Sequence, residues 1–201
     1  FFNPKSTNSL AEPVGNRFFI FSPAEIASIS SLEPAKISAR ISNNEPQFLI
    51  ITHPSLRSAA LKLQQHKTSL GISSSLLTTE EIYDSFGYGN ADLSAIRNAI
   101  AFHYHQGKNL KNVLLIGKGT FDYKGKLGGR PNLIPIYTSR NSLNPLQTYS
   151  SDDYLGLIDW GQGIWEESRE GDEHLQIGIG RIPAINFAEA NLMVEKIIDY
   201  E

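Results

Sequence analysis

Hydrophobic residues along this chain come in short bursts separated by polar, helix-patterned stretches. The sharpest burst is Val113-Leu-Leu-Ile116, an unbroken aliphatic run that Gly117 stops. A run this short with no polar alternation predicts a strand covered on both faces, as in a parallel sheet flanked by helices. Phe48 to Thr52 repeats the pattern. After it, Pro54 suits an early helical position, and Leu56, Ala59, Ala60 and Leu63 recur at helical spacing up to Gly71. Ile72 to Thr78 predicts a second strand, poorer in core residues and closer to an edge.

Further on, Thr78 and Glu81 have capping-box spacing and open a short helix through Phe86. A Gly87-Tyr-Gly-Asn90 turn follows, and Asn90 is placed to cap a longer helix with Leu93, Ile96, Ile100 and Tyr104 on one face, ending at Gly107. Lys118 to Ser151 holds glycines and prolines with little period, and Leu133 to Tyr137 is its one candidate strand. Tyr154 to Ile158 and Leu175 to Ile182 read as further strands. Asn186 caps a last helix with the stripe Ala190, Met193, Val194, Ile197 and Ile198. The order strand, helix, strand, helices, strand implies an α/β fold with right-handed crossovers and a parallel sheet.

Ahead of this unit the pattern changes. Phe18 to Phe21 reads as one short strand. Ser22 to Pro46 is rich in Ser, Ala, Pro and Asn and reads as a linker with a helical turn near Ala24 to Ile29. Residues 1–45 are therefore expected to be the tail of a preceding β region plus its tether, and 46–201 the α/β subdomain. The chain opens on Phe1 rather than Met, which reads as a piece of a longer protein.

Composition narrows the chemistry. The formal charge is −3, with no long Lys/Arg cluster, so no nucleic-acid footprint is expected. No apolar run is long enough for a transmembrane segment. The chain has no cysteine, which excludes disulfides, thiolate metal ligands and a cysteine nucleophile among these residues.

Ligands in open parallel sheets gather where strands end. His53, Thr79, Lys118, Asp122 and Arg181 all follow or close predicted strands, so topology would bring them toward one rim. His53, Lys118, Asp122 and Arg181 are the candidate cleft residues, against the plainer reading of local caps and surface charges. Gly117-Lys-Gly-Thr120 looks like a phosphate loop but fails in detail. From Gly119 the next Gly-Lys pair, Gly125-Lys126, is one residue too far, and Leu127 stands where Ser or Thr is required. Asp122, Asp152 and Asp153, with Asp159, are a hard-oxygen set for a structural calcium, though paired aspartates also form turns. His103 and His105 are two apart on a helix and diverge, so they make poor joint ligands. The acidic stretch from Trp160 to His174 reads as a solvated hairpin tip.

Residues 48–201 resemble the first half of the catalytic region of gingipain-type cysteine endopeptidases, with the sorting peptidase of type IX secretion as the nearest branch. The stretches that carry this are Phe48-Leu-Ile-Ile-Thr-His-Pro-Ser55, Thr79-Glu-Glu-Ile-Tyr83, Ala95-Ile-Arg97, Val113-Leu-Leu-Ile-Gly117 and Thr120-Phe-Asp122. Asn141-Ser-Leu143, Ser151-Asp-Asp-Tyr-Leu-Gly-Leu-Ile-Asp159, Ile177-Gly-Ile-Gly-Arg-Ile-Pro-Ala184 and the ending Glu189-Ala190 with Lys196 to Glu201 complete them. The resemblance implies a caspase-like α/β subdomain and a cysteine nucleophile activated by histidine. Both lie downstream of Glu201 in that family, so no catalytic residue carries over and the fragment alone is expected to be inactive. It implies a protein or peptide substrate, a downstream catalytic subdomain of the same chain as partner, no required cofactor, and a cell-surface or secreted location at the outer membrane. Lys118 departs from the family, which usually has aspartate after the glycine of the central strand. Two other readings are a non-enzymatic scaffold from a degenerate relative and a small phosphate-binding receiver-like module.

Overall fold

A computed structural model describes residues 45–139, 148–159, 161–163 and 174–201. The expected β segment and linker over 1–45 lie outside the described residues apart from Glu45, as do Asn141-Ser-Leu143 and most of the acidic stretch. Among the described residues no helix is long and apolar enough to cross a membrane.

The centre is a four-stranded parallel sheet of β1 (Phe48–Thr52), β2 (Ser74–Thr78), β3 (Asn112–Ile116) and β6 (Gly178–Ile182), in the order β2-β1-β3-β6. The register sets Phe48 beside Ser74 and Asn112, and Asn112 beside Gly178. Pleating then sorts each aliphatic run between two cores. Leu49, Ile51, Val113 and Leu115 point to one side; Ile50 and Ile116 point to the other. That division explains why neither run alternates with polar residues. Full burial of each such side chain contributes roughly 1.5–3 kcal/mol before conformational entropy is subtracted.

Each face is closed by helices. Ala59, Ala60 and Leu63 of α1 (Arg57–Ser69) and Ala190 and Val194 of α4 (Phe187–Tyr200) cover the Ile50 side. Ile82 of α2 (Thr79–Phe86) and Ala95, Ile96, Ala99 and Ile100 of α3 (Leu93–Gly107) cover the Leu49 side. Met193, expected in the α4 core stripe, is exposed on its flank.

Local signals set most boundaries. The Thr78 hydroxyl accepts from the Glu81 N–H at 3.3 Å, and the Glu81 carboxylate accepts from the Thr78 N–H at 2.7 Å, completing the expected capping box. Asn186 caps α4 by accepting from the Glu189 N–H at 2.9 Å. At α3 the cap is Asp92, which accepts from Ser94 N–H at 2.9 Å, rather than the expected Asn90. Asn90 is used in the preceding turn, its N–H donating to Gly87 O at 2.9 Å. Lys108 closes α3 in the left-handed conformation, φ 55°.

Between β3 and β6 expectation and structure part further. Tyr154 to Ile158 forms no strand; Asp153–Leu155 is a 3-10 turn, and Leu155, Leu157 and Ile158 are buried. The candidate strand at Leu133 to Tyr137 reduces to β4 (Tyr137–Thr138), paired antiparallel with β5 (Ser150–Ser151). The strand expected from Leu175 begins only at Gly178.

Candidate functional site at the C-terminal rim of the sheet

Because all four strands are parallel, their C-terminal ends share one rim. Thr79 follows β2, His53 follows β1, Lys118 follows β3 through Gly117, and Arg181 is the penultimate residue of β6. Topology therefore brings these residues to one side, as the sequence predicts.

Each then does something specific. The buried Thr52 hydroxyl donates to Ile116 O at 3.0 Å and ties the ends of β1 and β3 together. His53 caps the 3-10 turn Pro54–Leu56: its Nδ1 accepts from Ser55 N–H at 3.2 Å and lies 2.8 Å from Ser55 Oγ. Burial lowers the imidazole below its usual value, and the nearby Glu80 carboxylate opposes that only in part. Thr79 is buried at the start of α2.

Arg181 is spoken for by its own chain. A guanidinium has five N–H donors. Nε donates to Asp152 Oδ2 at 2.8 Å and Nη2 to Asp152 Oδ1 at 2.7 Å, the bidentate geometry that makes such pairs strong. Nη1 donates to Gly117 O at 2.9 Å and Ile134 O at 3.0 Å, and Nη2 also reaches Pro135 O at 3.1 Å. All five donors are occupied, so none is left over for a substrate. The residue is a clasp joining β6, the exit of β3 and the segment that crosses over them.

The aspartates named as a possible calcium set are each engaged within the chain. Asp152 faces Arg181. Asp122 accepts from Lys126 N–H at 2.9 Å and Leu127 N–H at 2.6 Å, one carboxylate oxygen for each. Asp153 sits in the 3-10 turn, its N–H donating to Ser151 Oγ at 3.0 Å. Among the described residues no group of three or more His, Asp or Glu is arranged to hold a metal.

Sequence reasoning missed Arg97. From α3 its Nε donates to Leu157 O at 2.8 Å, Nη2 also bonds to that carbonyl, and Nη2 reaches Gln162 O at 2.9 Å. Its guanidinium lies 5.4 Å from the Tyr154 ring centroid, and Tyr154 stacks on Tyr137 at 4.9 Å. Two arginines thus order a segment that has no hydrophobic period of its own. The available signal was weak: two arginines in otherwise apolar surroundings, each matched to carbonyls far off in sequence.

The loop after β3 is also built rather than loose. Lys118 donates its N–H to Ala184 O at 2.9 Å, and Leu133 N–H returns to Lys118 O at 3.0 Å. Thr120 N–H donates to Asn132 Oδ1 at 3.1 Å, and Asp122 caps the turn at its tip. A Cβ at Gly119 would lie 2.5 Å from Ile136 Cγ2 and 2.6 Å from Ile134 O, so the loop passes where only glycine fits.

Comparison with known proteins agrees with this architecture. None of the curated proteins matches the chain. A crystal structure of dimeric latent PorU from Porphyromonas gingivalis is similar, with TM-score 0.63 and 22% identity over 78% of this chain and 16% of that one. The complex of Porphyromonas gingivalis RgpB pro- and mature domains is similar with TM-score 0.53 and 17% identity, over 77% of this chain and 29% of that one. At such identities the likeness shows the fold, and the chain spans less than a third of either protein. Residues 41–201 match the profile of Peptidase family C25, and the match extends over most of the sequence, so the chain belongs to that gingipain-type cysteine peptidase family.

Proposed function

We propose that this chain is the N-terminal subdomain of a cysteine endopeptidase that processes the C-terminal sorting signals of type IX-secreted proteins at the outer cell surface. The nucleophilic thiol and its activating imidazole would come from a catalytic subdomain of the same full-length protein. One observation carries the reading: residues 41–201 match a peptidase family while the chain contains no cysteine at all. A chain with no thiol cannot supply the nucleophile, so its role is scaffold and cleft wall.

The fold supports that role. β6 is an edge strand, paired only with β3 among the described residues. Its outer backbone edge is open for a further strand. α4 leaves Phe187, Leu192, Met193 and Tyr200 exposed, apolar surface of the kind a partner subdomain covers. The rim bearing His53 and Lys118 is the side on which a substrate would lie.

The test is to express the full-length protein and treat it with a thiol-directed peptide probe. Labelling at one cysteine, cleavage of a sorting-signal peptide, and loss of both on alkylation are expected, with the 201-residue chain inactive alone. Cleavage by the isolated chain, or cleavage unaffected by alkylation, would overturn the mechanism. A second reading, a non-enzymatic scaffold, is favoured by the commitment of Arg181 to its own chain. It predicts that the full-length protein binds sorting-signal peptides but leaves them intact and unlabelled.

A further inference from the structure

The loop from Lys118 to Arg130 carries a charge pattern the scaffold role leaves unused. It contains four cations, Lys118, Lys124, Lys126 and Arg130, and a single carboxylate, Asp122. That carboxylate is turned onto its own backbone, accepting from the Lys126 and Leu127 N–H groups. No ion pair among the described residues engages any of the four cations. Lys124, Lys126 and Arg130 are exposed, and Lys118 is half-buried at the root of the loop.

Apolar side chains stand among these charges. Phe121 is 59% exposed, Tyr123 44% and Leu127 76%. Phe121 and Leu127 thus turn large apolar surface to solvent, beside a Tyr123 that is more than half covered. The turn is fixed by the Asp122 bonds, by Asp122 N–H donating to Thr120 Oγ1 at 3.2 Å, and by Gly125 and Gly128 at φ +63° and +65°. The groups are thus presented on a framed turn rather than on a chain that must first be ordered, which lowers the entropy cost of binding.

We propose that this loop is a docking surface for an acidic, apolar-containing stretch of polypeptide substrate, an inference that rests on the peptidase reading for the identity of its occupant. Charge complementarity selects Asp and Glu, and Phe121, Tyr123 and Leu127 select apolar neighbours between them. The loop starts at the end of the central strand β3, on the rim where the sheet offers its ligand side. A nucleic acid fits less well, because the chain is net −3 and four cations around an apolar tip make a small phosphate-binding surface.

The experiment measures binding, so it does not depend on catalysis. A fluorescent peptide alternating Glu with Leu and Phe is titrated into the 201-residue chain at low salt and at about 0.15 M salt. Controls are the same peptide with Lys for Glu, one with Ser for Leu and Phe, and oligothymidine. The acidic apolar peptide should bind at least about tenfold tighter than each control, and more tightly at low salt. The double variant Lys124→Glu/Lys126→Glu should weaken it about tenfold or more, and Phe121→Ser/Leu127→Ser should erase its advantage over the Ser peptide. These exposed positions leave the core untouched, and unchanged circular dichroism checks that. Equal binding by wild type and the charge-reversal variant, no peptide binding, or preference for oligothymidine would each overturn the proposal. If the peptide binds through the loop while the full-length protein neither cleaves nor labels, the docking surface stands and the peptidase reading falls.

Discussion

Replacing Arg181 with alanine tests the clasp most directly. The change removes five hydrogen bonds at once and leaves the Asp152 carboxylate without its bidentate partner. The two side chains are 11% and 22% exposed, so the pair is largely shielded from water. Breaking a buried pair from one side costs about 3–5 kcal/mol; with water able to reach Asp152 the lower end applies, about 3 kcal/mol. Arg181→Lys keeps the charge but cannot span a bidentate carboxylate and three carbonyls, and should cost about 1–2 kcal/mol. The assay is urea unfolding of the 201-residue chain, with a double-mutant cycle against Asp152→Asn. A coupling near 2 kcal/mol is expected. Hydrogen exchange adds location: the Leu133 and Ile134 amides, which donate to Lys118 O at 3.0 and 3.4 Å, should lose protection before those of β1. A cost below about 1 kcal/mol for Arg181→Ala, or additivity within about 0.5 kcal/mol in the cycle, would refute the clasp.

Other expectations are simpler to test. Thr78→Ala removes the α2 cap and should cost about 1 kcal/mol in urea unfolding, whereas Thr78→Ser should cost much less. His103 is buried on α3 with no hydrogen-bond partner on either ring nitrogen among the described residues, and burial lowers its imidazole below its ordinary value of 6.5. The unfolded chain therefore takes the proton first, so this contribution to stability is complete above the unfolded value and is lost as pH falls from there toward the folded one. His103→Phe should accordingly gain on wild type as pH drops from about 7.5 to about 5.5, either side of the ordinary imidazole value; a wild-type-to-variant difference that stays constant over that range would count against it. Gly119→Ala should cost about 1–3 kcal/mol, because the added methyl meets Ile136 and the Ile134 carbonyl, while Gly129→Ala, with nothing nearby, should be close to neutral by thermal melting.

How much of this was legible in the sequence depends on where each element gets its order. β1 and β3 were readable because their aliphatic runs serve both cores. The Thr78–Glu81 box was readable because its chemistry spans three residues. The α3 cap was misplaced by two residues because Asn90 and Asp92 are both good caps, and only the turn geometry at Gly87 decides which is free. Met193 has helical core spacing, yet it falls on a flank of α4 that the described residues leave uncovered. The described parts of the 133–158 region were not readable because Arg181 and Arg97 hold them through acceptors far away in the chain. The partners of the aspartates were hidden for the same reason: Asp122 serves its own turn and Asp152 a distant guanidinium, and a one-dimensional pattern shows neither.

The Thr52 hydroxyl and the Ile116 carbonyl it holds are 64 residues apart in the chain. During synthesis at about 5–20 residues per second, β1 leaves the ribosome roughly 3–13 s before its second neighbour has been made. Through that interval β1, β2 and the crossing α1 are the earliest local unit, and one side of β1 has nothing to pair with. Completion must wait for a long-range closure, the slow step in parallel topologies. A nascent chain of this kind is most exposed to misassociation in the interval before β3 arrives.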